Sequence, residues 1–171
     1  MRISVGCDHI MIDLKQKVHS YLAQKGHEVI DQGTYNEERT HYPIYGKRAA
    51  GSVAKGESDL AVVVCGSGIG ISIAANKVAG VRAVVASATD TVRYARRELN
   101  ANVLGIGGMV VGWGVIQDMI DAFLDTSYVP TEKNRMCIAK LDAMIQDNGQ
   151  TSDEHLFDDL LAKWERGEYH C

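Results

Sequence analysis

Leu60-Ala61-Val62-Val63-Val64-Cys65-Gly66-Ser67-Gly68-Ile69-Gly70, continued by Ile71-Ser72-Ile73-Ala74-Ala75-Asn76-Lys77, carries the order that decides the fold. An apolar run of strand length gives way to a glycine-rich turn, and the turn opens a helix. A turn of this kind aims several backbone N–H groups at one point and adds the positive end of a helix dipole. It therefore suits a phosphate or a developing oxyanion. Cys65, at its first position, is a candidate base or nucleophile, because a thiolate is favoured beside a helix N-terminus. The alternative is that the glycines only permit a tight turn. The spacing is not G-x-G-x-x-G, the turn does not follow the first strand, and no Walker G-K-[ST] is present, so neither a dinucleotide nor a P-loop site is indicated.

Outward from this stretch, short apolar runs alternate with helix-like segments. Strands are expected over residues 2–6, 28–31, 60–64, 81–86 and 103–107. Helices are expected over 10–25, 44–55, 69–78, 90–98 and 110–124, with Pro43 in the first turn of its helix and Gly26, Gly56 and Gly80 at helix ends. Such alternation builds right-handed βαβ units. The expected fold is α/β: a doubly wound, five-stranded parallel sheet in a Rossmann-like three-layer sandwich. After residue 130 the chain turns charged and helical, first over 133–146 and then with Leu156, Leu160, Leu161 and Trp164 on one helical face. Residues 1–171 are thus read as a single domain, with 130–171 as its C-terminal helical extension. The stripe is read as packing against the body or a neighbouring subunit.

Composition removes several function classes. The chain has 171 residues, 46% hydrophobic and 23% charged, which is ordinary for one globular domain. A net charge of −4 without a basic cluster argues against nucleic acid. The apolar runs are too short for a membrane span, and Met1-Arg2-Ile3 leads into a strand rather than a leader, so a cytoplasmic location is expected. Cys7, Cys65, Cys137 and Cys171 lack paired C-x-x-C spacing and are read as reduced thiols. His41, His170 and Cys171 have no metal-ligand spacing, and no metal or other cofactor is expected.

In doubly wound sheets, ligands bind beyond the carboxyl ends of the strands. Cys7-Asp8-His9, residues 34–42, 65–70 and 87–89 should all emerge there. Asp8 is open to two readings, a helix cap or an acid–base group. Arg39-Thr40-His41-Tyr42-Pro43 combines a charged donor fork with polar and aromatic groups, as an anionic hydroxylated ligand would need, or is simply a solvated loop. Gly105-Ile106-Gly107-Gly108 has no reactive companion and is read as close strand–helix packing. Arg93, Arg96 and Arg97 are read as solvated surface or a subunit contact.

Taken together, Gly6-Cys7-Asp8-His9, Arg39-Thr40-His41-Tyr42-Pro43, Cys65-Gly66-Ser67-Gly68-Ile69-Gly70 with Ala75-Asn76-Lys77, and Asn102-Val103-Leu104 resemble the ribose-5-phosphate isomerase B and galactose-6-phosphate isomerase family. Within it the resemblance narrows to the galactose B-subunit branch. That narrowing rests on Arg39-Thr40-His41-Tyr42-Pro43-Ile44-Tyr45-Gly46-Lys47, Leu99-Asn100-Ala101-Asn102 and Lys163-Trp164-Glu165-Arg166-Gly167-Glu168-Tyr169-His170. The resemblance implies an aldose–ketose isomerase acting on a sugar phosphate. Cys65 would move the proton between C1 and C2. Ser67 and the turn Gly66, Gly68, Ile69 and Gly70 would hold the enediolate. Asp8 would serve the sugar ring, His9 and Arg39 the phosphate, and Tyr42 and Asn100 would complete the substrate contacts.

The chain departs from the homodimeric relatives at Glu98-Leu99-Asn100, where they carry a ring-opening histidine, and at Pro130-Thr131-Glu132-Lys133-Asn134, where they carry an arginine- and histidine-rich phosphate segment. A phosphate of about −1.5 to −2 charge would lack part of its counter-charge. The resemblance implies a companion A subunit in a heteromer that supplies these groups, or a homo-oligomer when the chain is alone. Two rivals stand beside conversion of D-galactose 6-phosphate to D-tagatose 6-phosphate. One is a self-sufficient isomerase of ribose 5-phosphate or another aldose phosphate, with Arg93, Arg96 or Arg135 substituting. The other is a non-catalytic sugar-phosphate-binding module, which gives Cys65 no reason to be a thiol.

Overall fold

In a computed structural model, residues 1–145 are described, together with Asp158, Asp159, Ala162, Arg166 and Glu168. The stripe Leu156, Leu160, Leu161 and Trp164, and the tail positions His170 and Cys171, lie outside the described residues. Five strands, β1 (Arg2–Cys7), β2 (Glu28–Asp31), β3 (Leu60–Cys65), β4 (Ala83–Ala86) and β5 (Val103–Gly107), form one sheet in the order β2-β1-β3-β5-β4. Every pairing is parallel. The helices are α1 (Ile12–Gln24), α2 (Tyr42–Ala54), α3 (Ile69–Ala75), α4 (Thr89–Leu99), α5 (Trp113–Asp125) and α6 (Glu132–Ala143), with a 3-10 turn over His9–Met11 ahead of α1.

The direction of each step across the sheet decides which face its helix covers. Right-handed crossovers send helices of opposite steps to opposite faces. The step from β1 to β2 and the return from β4 to β5 run one way, and α1 and α4 share a face with α5. The steps from β2 to β3 and from β3 to β4 run the other way, and α2 and α3 share the second face. Two cores follow. Ile3, Val5, Val62, Val64, Leu104 and Ile106 pack with Val18, Ile116 and Phe123 on the first face. Ala61, Val63, Cys65 and Val103 pack with Tyr45, Ala49 and Ile71 on the second. Strand β3 is buried at every position, and its period-two alternation points Cys65 toward α2 and α3.

Several element boundaries move from their sequence-based positions for local reasons. Helix α3 stops at Ala75 because the Asn76 amide is engaged with Ala83, accepting its N–H at 2.7 Å and donating to its carbonyl at 2.9 Å. Strand β4 starts at Ala83 rather than residue 81, since the Arg82 N–H donates to the Asn102 side chain instead. Helix α5 starts at Trp113 because the N–H groups of Val110 and Val111 both turn back to the Gly107 carbonyl. Gly46 lets α2 lie against α3, since a Cβ there would come within 2.6 Å of the Ile71 carbonyl oxygen. The packing expected of Gly105, Gly107 and Gly108 is present: Gly105 abuts Ser72, Gly107 abuts Ser67, and Gly108 abuts Met11 and Leu14.

Candidate active site

Strand order reverses between β1 and β3, so Asp8 and Gly66 leave adjacent strands in the crevice where doubly wound sheets bind ligands. Cys65 is 4% exposed, and its Sγ accepts the Gly68 N–H at 3.1 Å. Gly68 adopts φ +77, the left-handed region, and this conformation folds its amide back over the thiol. The Ser67 side chain, exposed at the tip of the turn, accepts the Ile69 N–H at 3.2 Å. The turn thus presents an exposed hydroxyl beside a sulfur already held by one amide. Two backbone bonds fix its position: the Gly108 N–H donates to the Cys65 carbonyl and the Met109 N–H to that of Gly66, each at 3.0 Å.

Asp8 is 7% exposed and its Oδ1 is buried without a hydrogen-bond partner. Burial pushes its carboxyl above the usual carboxylate value. The Ile10 N–H and His9 pull the other way, although Ile10 forms no capping hydrogen bond to it. Of the two sequence readings of Asp8, the cap is therefore not made. His9 is half-buried and accepts the Thr40 N–H on Nδ1 at 3.4 Å, an arrangement that leaves Nε2 as the donor of the neutral ring. Arg39 is exposed next to Thr40. Tyr42, at the start of α2, lies against Gly70: a Cβ on Gly70 would sit 2.7 Å from the Tyr42 ring. Ile10 and Met109 flank Gly66 in the same way, at 3.4 and 3.3 Å from the corresponding position.

Asp8, His9, Arg39, Tyr42 and residues 65–70 therefore gather at one edge of the sheet. Asn100 does not. It ends α4 with φ 49 at the amino edge, three residues before β5, where its carbonyl accepts the Arg82 Nε–H at 3.0 Å. Val103 pairs with Ala61, four residues before Cys65, so the two sites are separated by about 13 Å of strand at about 3.3 Å per residue.

Arg93 and Arg96, two of the three arginines able to substitute, are also elsewhere. Arg96 donates to the carbonyls of Phe123 and Ala101, and burial lowers its pKa from the usual value. Arg93 lies on the first face, opposite Cys65, in a surface hollow it shares with Asp118, Asp121 and Asp125. Among the described residues, no group of three His, Cys, Asp or Glu side chains could hold a metal ion, and no helix is long and apolar enough to cross a membrane.

A family model described as Ribose/Galactose Isomerase matches residues 3–141. The chain belongs to that family. It is 52% identical to the galactose-6-phosphate isomerase subunit LacB of Clostridium acetobutylicum, over 99% of this chain and 98% of that one. It is 45% identical to the ribose-5-phosphate isomerase B of Escherichia coli, over 74% of this chain and 85% of the relative. The solved ribose-5-phosphate isomerase B of Clostridium thermocellum superposes with a TM-score of 0.81 at 38% identity, covering 83% of this chain and 95% of that one. That of Thermotoga maritima gives 0.79 at 39%, covering 82% and 97%.

Other polar side chains at this edge of the isomerase are not singled out by the sequence. The Tyr45 hydroxyl, beneath the loop, pairs with Thr40 Oγ1 at 3.0 Å. Lys15 is 2% exposed and paired with Asp31. Lys15 lies on the inner side of an amphipathic helix, and a charged residue on an apolar stripe is the signal that could have found it.

Proposed function

We propose that the chain is the B-type subunit of an aldose–ketose isomerase converting D-galactose 6-phosphate to D-tagatose 6-phosphate, all 171 residues forming one isomerase domain. The observation that carries the reading is the Cys65 thiol held under the Gly68 amide in the crevice between β1 and β3. The choice of hexose phosphate is supported by the 52% identity to the LacB subunit across nearly the whole of both chains.

In this scheme Asp8 assists opening of the sugar ring, a role suited to a carboxyl whose proton is held above the usual range. The Cys65 thiolate then takes the proton from C2 and the electron pair moves onto the C1 carbonyl oxygen. Negative charge accumulates on the enediolate oxygens beside the Ser67 hydroxyl and the turn amides. Donors already oriented in the ground state stabilise such charge without a reorganisation cost. The same sulfur returns its proton to C1, O1 gains a proton and O2 loses one, so the products balance without a cofactor. His9 and Arg39 receive the phosphate.

One guanidinium and one imidazole are few for a phosphate dianion, and neither Arg93 nor Arg96 is placed to help. Asn100, about 13 Å along the strand from its own Cys65, enters the scheme only across a subunit interface. The shortage of counter-charge favours a companion A subunit over a self-sufficient ribose 5-phosphate isomerase, whereas the placement of Asn100 calls for a second subunit of either kind. The test is isomerisation of galactose 6-phosphate and ribose 5-phosphate by the chain with and without an A-type companion. Activity toward the hexose that requires both chains is expected. Full activity of the isolated chain would refute the need for a companion subunit. Cys65→Ala in the active assembly should abolish exchange of the substrate C2 proton with solvent, and unchanged exchange would refute the role of the sulfur.

A further inference from the structure

Lys15 has only 3% of its side chain exposed, although withdrawing an ammonium from water costs several kcal/mol. All three of its N–H donors can be accounted for. They reach Asp31 Oδ1 at 2.7 Å, Asp31 Oδ2 at 2.8 Å and the Thr34 carbonyl at 2.7 Å, with the Tyr35 ring 4.8 Å away. Asp31 Oδ1 also accepts the Gly33 N–H at 2.8 Å, and the Asp31 carbonyl accepts the Tyr35 hydroxyl at 2.9 Å. These contacts converge on the five residues by which the chain leaves β2. The same residues are stitched to β1 just before Asp8: the Cys7 N–H donates to Gly33 O at 2.8 Å, and the Thr34 N–H donates to Cys7 O at 3.1 Å.

A buried ion pair is a poor source of net stability, since apolar residues of similar volume often serve as well. An apolar pair, however, could not hold the Thr34 carbonyl and so fix the direction in which the chain enters the loop. The far end of that loop is held separately, by Thr40 to His9 and to Tyr45, and Arg39 lies between the two anchors. We propose that the buried Lys15–Asp31 pair is a positioning device that sets the phosphate-recognition segment 34–41, rather than a contributor to fold stability. The assignment of that segment to the phosphate rests on the function proposed above.

The test compares wild type with Lys15→Met and with Lys15→Met/Asp31→Asn. The single variant strands a carboxylate and risks misfolding, while the double variant removes both charges. Backbone hydrogen exchange is read on the unliganded chain, and kinetics with galactose 6-phosphate on the active assembly. In the double variant, melting close to wild type is expected, with exchange over 34–41 faster by about tenfold, the value of one charge-assisted hydrogen bond, and exchange in β3 and β5 unchanged. KM should rise by about the same factor with kcat little altered. Unchanged exchange over 34–41, loosening spread equally through β3 and β5, or loosening of 34–41 without a change in KM would each overturn the proposal. If the wild-type assembly does not isomerise the sugar, the proposed function fails and the exchange pattern alone decides the positioning role.

Discussion

Gly68→Ala is the sharpest test of how the turn holds the thiol. At φ +77 a Cβ meets the unfavourable left-handed geometry, at a cost of about 1–2 kcal/mol. The added atom would also lie 2.7 Å from the Gly107 nitrogen, 2.8 Å from the Ile106 carbonyl carbon and 3.0 Å from Val85 Cγ2. Two of these are backbone atoms of a central, fully buried strand that cannot step aside, and overpacking adds about 1–3 kcal/mol. The expected loss is therefore about 2–5 kcal/mol in a chemical denaturation series. Gly56→Ala is the internal control, because Gly56 has φ +70 with nothing within 4 Å of the added atom. It should lose only the conformational part, about 1–2 kcal/mol. Restoring ordinary contact to Gly107 requires a shift of about 0.7 Å (3.4 − 2.7), and the 3.1 Å bond from the Gly68 amide to Cys65 moves with it. A displacement of that size at a reacting centre lowers kcat by about 10–100-fold. Equal destabilisation by the two variants, or wild-type turnover by Gly68→Ala, would refute the argument that close approach to β5 sets the turn.

Two further outcomes follow from groups buried at the same edge. Asp8→Asn should stabilise the protein at neutral pH, because burial holds the native carboxyl above its ordinary value of 3.8 and disfavours its charge. With the folded value raised, the stability contributed by Asp8 is complete below the unfolded value and is lost as pH rises through the folded one. The gap between variant and wild type in pH-dependent denaturation should thus widen from pH 4 to 7, and a gap independent of pH would contradict it. Burial first, with Asp8 and Asp31 adding, pushes the Cys7 thiol up to about 11 against the partial opposition of Lys15 and the Thr34 N–H. Its thiolate fraction at pH 8 is then about 100-fold below that of a thiol at 9.0. Mass spectrometry after brief iodoacetamide treatment should find the exposed Cys137 labelled and Cys7 untouched, and early labelling of Cys7 would show its burial to be transient.

Much of the site was legible because its signals are local. Cys65, Ser67 and Gly68 lie within four consecutive positions, so one glycine turn carries both the backbone conformation and the side chains of the proposed chemistry. Asp8 and His9 follow a strand end directly, and the strand end is readable from hydrophobicity alone. Lys15, Thr40 and Tyr45 were not legible as a group. Their partners lie on other elements, and nothing in the spacing of Lys15 and Asp31 states that a helix and a strand exit will meet. The resemblance implies that Asn100 is a substrate contact, yet α4 carries it to the opposite edge of the sheet from its own Cys65, a consequence of strand direction rather than of neighbouring residues.

The amino-acid order by itself determined the alternation of strands and helices, the parallel α/β class and the position of the glycine turn that opens α3, since periodicity and glycine placement act over a few residues. Only the tertiary structure decided that β5 lies between β3 and β4, that Cys7 and Cys65 face opposite cores, and that Lys15 is spent beneath the loop. Interchangeable apolar strands carry no label for their neighbours. Their order is set by how crossover helices of fixed handedness, with the glycines that admit them, pack against one another, and that selection is made across the whole chain at once.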